Sequence, residues 1–525
     1  MNMKKLLLVL LLVLSACVQK EPTIQRKTVD ELAALLEGSN ADKFASEVSV
    51  AYNIFPISYA DSDGDGTGDL RGIIDHLDVL NDGDPSTDTD LGITAIWLNP
   101  IHPSKTYHKY DVIDYYAIDP EFGTLDDFQD LSDACEERGI KLILDIVFNH
   151  TADDNPWFIK AMSGDEVYRD YYRIEEKLTN AEYPNKTGWS FRNSLAYYAS
   201  FWDQMPELNA DSEAVRDEMK KILSFWMDLG VDGFRYDAAP RMYDANEYPV
   251  GTGTMELNKQ FWMEMKEYVK SEDPDILLLA EVWMPATQAA PYAVGFDSMF
   301  NFDLATGIVN TVMQGYQTNF VATYLNGKNV FTGRNENYLD STFLTNHDQN
   351  RVMSVLGGNV DQAKLAANIL FTLPGIPFIY YGEELGMVGA KPDERIREPY
   401  RWTSQNDAPN ALWENWELNL NTTPYEQQTT DEDSMFSLYR RLVHFRDASD
   451  VLRFGDIQSL TLSNKVLGFT RTFEGKTLTI VHNLDRFAQT VDLNDSGTIL
   501  YQHGDVQLVS TVLTLQPYAS VIIGD

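Results

Sequence analysis

A chain of 525 residues with 44% apolar and 12% aromatic side chains can bury a large core, and this composition excludes a collagenous or wholly disordered protein. Its 80 acidic against 41 basic residues give a formal charge of −39, which excludes a surface built to hold nucleic-acid phosphates and serves solubility instead. A length of this order suits one large domain with one or two small ones.

Lys4 and Lys5 precede the apolar run Leu6–Leu14, far short of the ~20 residues of a spanning helix, so the N-terminus reads as a targeting segment. It ends in Leu14-Ser15-Ala16-Cys17, which resembles a bacterial lipobox. The resemblance implies a lipoprotein signal segment over residues 1–17, cut just before Cys17, and lipidation of that cysteine. It further implies export across the cytoplasmic membrane and anchoring on the periplasmic or cell-surface side of a bacterial membrane; ordinary signal cleavage with an incidental cysteine is the alternative. Cys135 is then the remaining thiol, so no intramolecular disulfide can form. Residues 18–45 read as a tether with a short helix. A monomer is expected, touching the membrane through the lipid alone.

From residue 46 to about 450, short β-branched runs alternate with amphipathic stretches. The expected strands are Val48–Ile57, Ile93–Leu98, Lys141–Phe148, Val231–Tyr236, Ile276–Glu281, Phe296–Phe300, Ser341–Thr345 and Ile376–Tyr381. Helical patterns such as Leu125–Arg138 and Ser212–Leu229 lie between them. Short apolar runs alternating with helices predict a parallel sheet, and eight such units predict an α/β fold of the (β/α)8 barrel type. Residues 150–211 are too many for a simple loop and are aromatic-rich, so they read as a subdomain inserted after the third strand, most of its aromatics forming its own core. After the helical run Ser434–Arg446 the pattern becomes short β-runs and turns, for example Thr477–Val481 and Ser520–Ile523, predicting a C-terminal all-β sandwich over 451–525.

Four motifs fall at or just past expected strand ends, where a (β/α)8 enzyme places its chemistry. They are Asp145-Ile-Val-Phe-Asn149-His150, Gly233-Phe-Arg235-Tyr-Asp237-Ala238, Ala280-Glu281-Val-Trp283 and Asn346-His347-Asp348-Gln-Asn-Arg351. Taken singly, an Asp at a strand end is often a cap and a His there often only a hydrogen-bonding group. The ordered set, with Tyr110-Asp111-Val-Ile-Asp114-Tyr115 and Tyr380-Tyr-Gly-Glu-Glu-Leu-Gly386, resembles the α-amylase family of glycoside hydrolases over about Val50 to Trp402. The resemblance implies Asp237 as nucleophile, Glu281 as general acid/base and Asp348 as a third carboxylate that binds and distorts the sugar. It implies Tyr110, His150, Arg235 and His347 as groups lining the cleavage point, and an α-glucan or maltooligosaccharide substrate. Chemically, a retaining glycosidase needs one ionised and one protonated carboxyl. Arg235 is expected to lower the Asp237 pKa, and the charges of Asp237 and Asp348 to raise that of Glu281.

Asp61-Ser-Asp63-Gly-Asp65-Gly-Thr67-Gly-Asp69 places oxygen groups at alternate positions with glycines between, as a Ca²⁺ loop requires. The expected ligands of a structural calcium are Asp61, Asp63, Asp65, the Thr67 carbonyl and Asp69; an acidic turn without metal is the alternative. Specificity is narrowed by departures from family patterns. Exo-acting glucosidase relatives carry an acidic residue three before the motif tyrosine, where this chain has Tyr107. Strict α-1,6 enzymes usually have Val where Ala238 follows the nucleophile. Both favour internal α-1,4 cleavage, whereas Pro240-Arg241 replaces the Lys-His pair of many α-amylases and leaves the product side open. Exo-glucosidase, oligo-1,6-glucosidase and neopullulanase activities remain alternatives within the class, with transfer to a sugar in place of water. A non-catalytic glucan-binding lipoprotein is the alternative outside it.

Overall fold

A computed structural model describes residues 27–36, 41–176, 188–244, 253–493 and 496–524. Cys17 and the expected leader lie outside the described residues.

The first three strands are β1 (Ala51–Ile54), β2 (Ala95–Leu98) and β3 (Lys141–Ile146). An insertion follows with β4 (Ile174–Glu176), β5 (Trp189–Arg192) and β6 (Leu195–Tyr198). Then come β7 (Gly233–Tyr236), β8 (Leu277–Ala280), β9 (Ser298–Phe300), β10 (Leu339–Phe343) and β11 (Ile376–Tyr380). The eight strands outside the insertion form a closed parallel barrel in the order β1-β2-β3-β7-β8-β9-β10-β11, and β11 pairs back onto β1 through Ala51↔Phe378. The expected eightfold barrel is the observed one. The first strand is shorter than expected because Pro56 opens a helical turn, Pro56–Tyr59, in which proline's missing N–H costs nothing.

Alternation sets what each strand faces. Ala51, Ala95, Trp97, Ile143, Leu277, Leu279, Phe300, Phe343, Ile376 and Phe378 share the barrel interior. Their neighbours, such as Tyr52, Ile96, Leu144, Phe234 and Leu278, pack outward against the helices. Phe44, from the short helix Asp42–Glu47, is buried in the same interior cluster together with Ala41 and Val48. Two of the barrel helices begin at side-chain caps: Thr124 with Asp127 for Leu125–Glu137, and Ser212 for Glu213–Asp228.

Two further units flank the barrel. In the insertion, β4, β6 and β5 form an antiparallel sheet in that order, and Tyr172, Tyr197 and Phe158 pack edge to face beneath it. At the C-terminal end, a five-stranded and a three-stranded antiparallel sheet share a core of Val466, Val481, Val491, Leu513, Leu515 and Val521.

Candidate active site

Interior-facing positions turn polar at the C-terminal ends of the strands. On β3 the inward series runs Ile143 then Asp145. On β7 it runs Gly233, Arg235, Asp237; on β8 it runs Leu277, Leu279, Glu281. Gly233 is dictated by packing, because a Cβ there would lie 3.0 Å from the Leu277 Cβ. Arg235 is fully buried beneath the pocket. Its Nη1 donates to both oxygens of Asp145 at 2.8 and 3.0 Å and to Asp237 Oδ1 at 2.8 Å, and its Nη2 lies 2.8 Å from Glu281 Oε2. One guanidinium thus touches three carboxyls from three adjacent strands. The Glu281 carboxyl also accepts from the Ala238 amide at 3.2 Å, and Ala238 takes a left-handed φ of 44° directly after Asp237.

Burial dominates the protonation of this cluster. It pushes Asp237 up to about 6 against the pull of Arg235, so the arginine moderates the shift instead of producing the net lowering that spacing alone predicts. Glu281 is pushed further, to about 7, first by burial and then by the charges of Asp237 and Asp348, with Arg235 opposing. Burial likewise lifts Asp145 to about 6. Asp348 behaves oppositely. Burial disfavours its charge, yet His347 at 3.1 Å and Arg397 at 2.9 Å hold it well below the usual carboxylate range. Burial also lowers the His347 pKa, so Arg397 is the lasting cation beside Asp348.

The uncharged groups of the site are tied to the same frame. The Tyr110 hydroxyl lies 3.0 Å from Asp145 Oδ2 and 2.7 Å from His347 Nε2, and it accepts from Asn99 Nδ2 at 3.1 Å. The Tyr110 and His347 rings stack at 5.6 Å. His150 is held near neutral form by burial, which lowers it to about 4, and among the described residues its Nε2 has no hydrogen-bond partner. Tyr110, His150, Asp237, Glu281 and Asp348 line one cavity of about 880 Å³, together with His108, Trp283 and Arg397. Arg235 and His347 lie just behind its wall. Tyr107 donates nothing to the cavity itself: it stacks on Trp413 at 4.7 Å and accepts from Arg397 Nη1 at 3.1 Å.

The Asp61–Asp69 loop is built from consecutive Asx turns. Asp61 Oδ1 accepts from the Asp63 and Gly64 amides, Asp63 from Asp65, and Asp65 from Thr67. Gly64 and Gly66 have φ of 83° and 97°, which glycine alone adopts freely. The carboxylates of Asp61, Asp63 and Asp65 converge to within 4.8 Å of one another. Asp69 is not in that group. Its Oδ2 accepts from Ser62, and its Oδ1 caps the helix Leu70–Asp75 through the Gly72 amide.

Sequence reasoning did not single out four residues on which the site rests. Asp145 opens one of the four strand-end motifs, and its inward position on β3 is its signal. Asn99, Arg397 and Lys109 carry no spacing signal. Arg397 arrives from a long irregular segment, donating through Nε to the His347 carbonyl at 2.9 Å. Lys109, directly before Tyr110, is buried with a left-handed φ of 62°; its ammonium lies 2.9 Å from the buried Asp119 and 2.7 Å from Glu121. This ion pair holds the strained turn that presents Tyr110.

Residues 53–455 match the α-amylase catalytic domain, and residues 466–522 match the C-terminal domain of the α-amylase SusG. The chain belongs to the α-amylase family of glycoside hydrolases. It is 40% identical to "Alpha-amylase 3" of Dictyoglomus thermophilum over 90% of this chain and 93% of that one. It is 32% identical to a 4-alpha-glucanotransferase of Thermotoga neapolitana over 83% and 95% of the two chains. The solved α-amylase of H. orenii superposes with a TM-score of 0.83 at 38% identity, covering 91% of this chain and 99% of that one.

Replacing Lys109 tests the turn. Lys109→Ala removes the partner of a buried charge and keeps the strained backbone, so it should destabilise by about 3 kcal/mol. Lys109→Gly should recover about 1 kcal/mol of that by relieving the left-handed φ. Denaturant unfolding reads the difference; equal stabilities of the two variants would contradict a strained turn.

Proposed function

We propose that this enzyme hydrolyses internal α-1,4 bonds of starch-like glucans with retention of anomeric configuration. The observation that carries this is the single buried guanidinium of Arg235 lying against both Asp237 and Glu281. One cation in contact with both draws the two carboxyls toward each other, which supports the close pair, roughly 5–5.5 Å apart, that retaining enzymes use. Asp237 attacks the anomeric carbon as the bond to the leaving oxygen breaks, and that oxygen takes the proton of Glu281. The product is an ester between Asp237 and the sugar. Glu281, now ionised, takes a proton from water, which displaces Asp237 and regenerates the starting state. Asp348, kept ionised by Arg397, accepts hydroxyls of the sugar in the cleavage position, and His150 Nε2 is free to bond another.

Internal cleavage is supported by Tyr107, which stacks on Trp413 and bonds Arg397, and by a groove that meets the cavity at His108 and Asp393. The relatives named α-amylase agree with this reading. Digestion of starch, maltotriose, isomaltose and pullulan tests it, with anomers resolved by NMR. Mixed maltooligosaccharides from starch, released first as α-anomers, with isomaltose intact, are expected. Glucose alone would favour the exo reading. Products longer than the substrate would favour transfer, β-anomers would exclude retention, and no release would revive a binding role.

The residues Asp61, Asp63 and Asp65 fit an oxygen-liganded divalent cation, and we assign them to a structural Ca²⁺. The ion would offset their mutual repulsion in a loop anchored by the Asp61 amide on the Pro409 carbonyl and the Leu412 amide on the Gly66 carbonyl. Added Ca²⁺ should raise the melting temperature in a concentration-dependent way, EDTA should lower it, and Asp63→Asn should abolish the response. A melting temperature indifferent to both reagents would remove the metal from this account.

A further inference from the structure

Two adjacent aromatics at the rim of the insertion face different spaces. Phe201 lines the catalytic cavity, with its ring 5.4 Å from that of His150 and beneath the Arg241 guanidinium at 5.6 Å. Trp202 lines a second groove of about 700 Å³ together with Tyr107, His108, Asp393 and Glu394. The two spaces meet at His108 and Asp393, which line both. Their junction is on the Arg397 side of the cavity, since Asp393 lies 3.4 Å from Arg397, which in turn binds Asp348. Glu281, which gives its proton to the leaving oxygen in the reading above, lines the cavity with Trp283 and Met284, all three from the chain just past strand β8.

Trp202 is 42% exposed on a backbone that is pinned at both sides. The Ser200 amide donates to the buried Glu207 at 2.9 Å, the Asp203 carbonyl accepts from the Tyr197 hydroxyl at 2.7 Å, and the Trp202 carbonyl accepts from the Met205 amide at 2.8 Å. A large ring left in water on a held loop is a preformed platform, because binding to it orders little that is not ordered already. The pyranose ring of glucose has an apolar C–H face that stacks on such a ring and hydroxyls around its edge that need polar partners. Asp393 and Glu394 supply acceptors in the same groove.

We propose that Trp202 is the stacking platform of a donor-side subsite, one that holds glucose units on the non-reducing side of the bond to be cut. The proposal rests on the α-glucan reading above and deepens it: this groove sets the preference for long chains. The test compares wild type, Trp202→Ala and Trp202→Phe on maltohexaose labelled at its reducing end and on maltotriose. Trp202→Ala should lose about tenfold in kcat/KM on maltohexaose and distinctly less on maltotriose, so the ratio between the substrates falls about fivefold; its cleavage positions should shift. Trp202→Phe, which keeps an aromatic face, should recover most of the ratio. If wild type cleaves maltohexaose and Trp202→Ala keeps the same ratio and cleavage pattern, this subsite is overturned while the α-glucan reading stands. Equal losses on both substrates with a lowered melting temperature would make Trp202 structural and overturn it too. Wild type that cleaves neither oligosaccharide would overturn both readings.

Discussion

The buried guanidinium of Arg235 is the constraint around which the catalytic end of the barrel is arranged. A cation with no exposed surface is costly to leave unpaired, and here the carboxyls of three strands meet it. Asp145, Asp237 and Glu281 come from three neighbouring strands of a closed barrel, whose parallel register fixes their spacing. The local charge does not balance. Arg235 and Arg397 face Asp145, Asp237, Glu281 and Asp348, two cations against four carboxyls. A buried cluster cannot hold two excess negative charges cheaply, so it retains a proton, and Glu281 is the group that binds it most tightly. In the proposed reaction the acid is therefore a consequence of burial and charge count together. Tyr110 extends the frame by joining Asn99, Asp145 and His347 through one hydroxyl.

Much of this was legible in sequence because it depends on local pattern. The barrel strands are runs of alternating inward and outward apolar residues, and each of the eight lies where periodicity places it. The weakest signal, Phe296–Phe300, became the shortest barrel strand, Ser298–Phe300. Asp237, Glu281, Asp348, Tyr110 and His150 all reach one cavity, because strand ends of a parallel barrel share one face. What was not legible depends on distance through the fold. Spacing showed Arg235 beside Asp237 but could not show how far burial would outweigh it. Arg397 acts through His347 and Asp348, far away in sequence, and Lys109 through Asp119 and Glu121 across an irregular turn, both from segments without periodicity. In the Asp61 loop the alternation of oxygens was visible, but the diversion of Asp69 to cap a helix required the helix to be in place.

The same contrast applies to specificity. Tyr107 is a sequence fact, but its surroundings are spatial. The tyrosine accepts a bond from Arg397 at its hydroxyl, stacks on Trp413 and lines the groove along Trp202, which meets the catalytic cavity at His108 and Asp393. Family membership and the barrel are shared with glucosidases and glucanotransferases, so the difference between them has to come from such rim residues.

The pH dependence of kcat/KM tests the central claim most directly. Asp237 must be ionised to attack, so the rate should fall as pH drops through its pKa near 6. Glu281 must be protonated to release the leaving group, so the rate should fall as pH rises through its pKa near 7. A narrow bell between these limbs is predicted, and Glu281→Gln should lose the alkaline limb along with most of the activity. A rate that stays level from pH 6 to pH 9 in the wild type would contradict an acid whose proton is held by the buried cluster around Arg235.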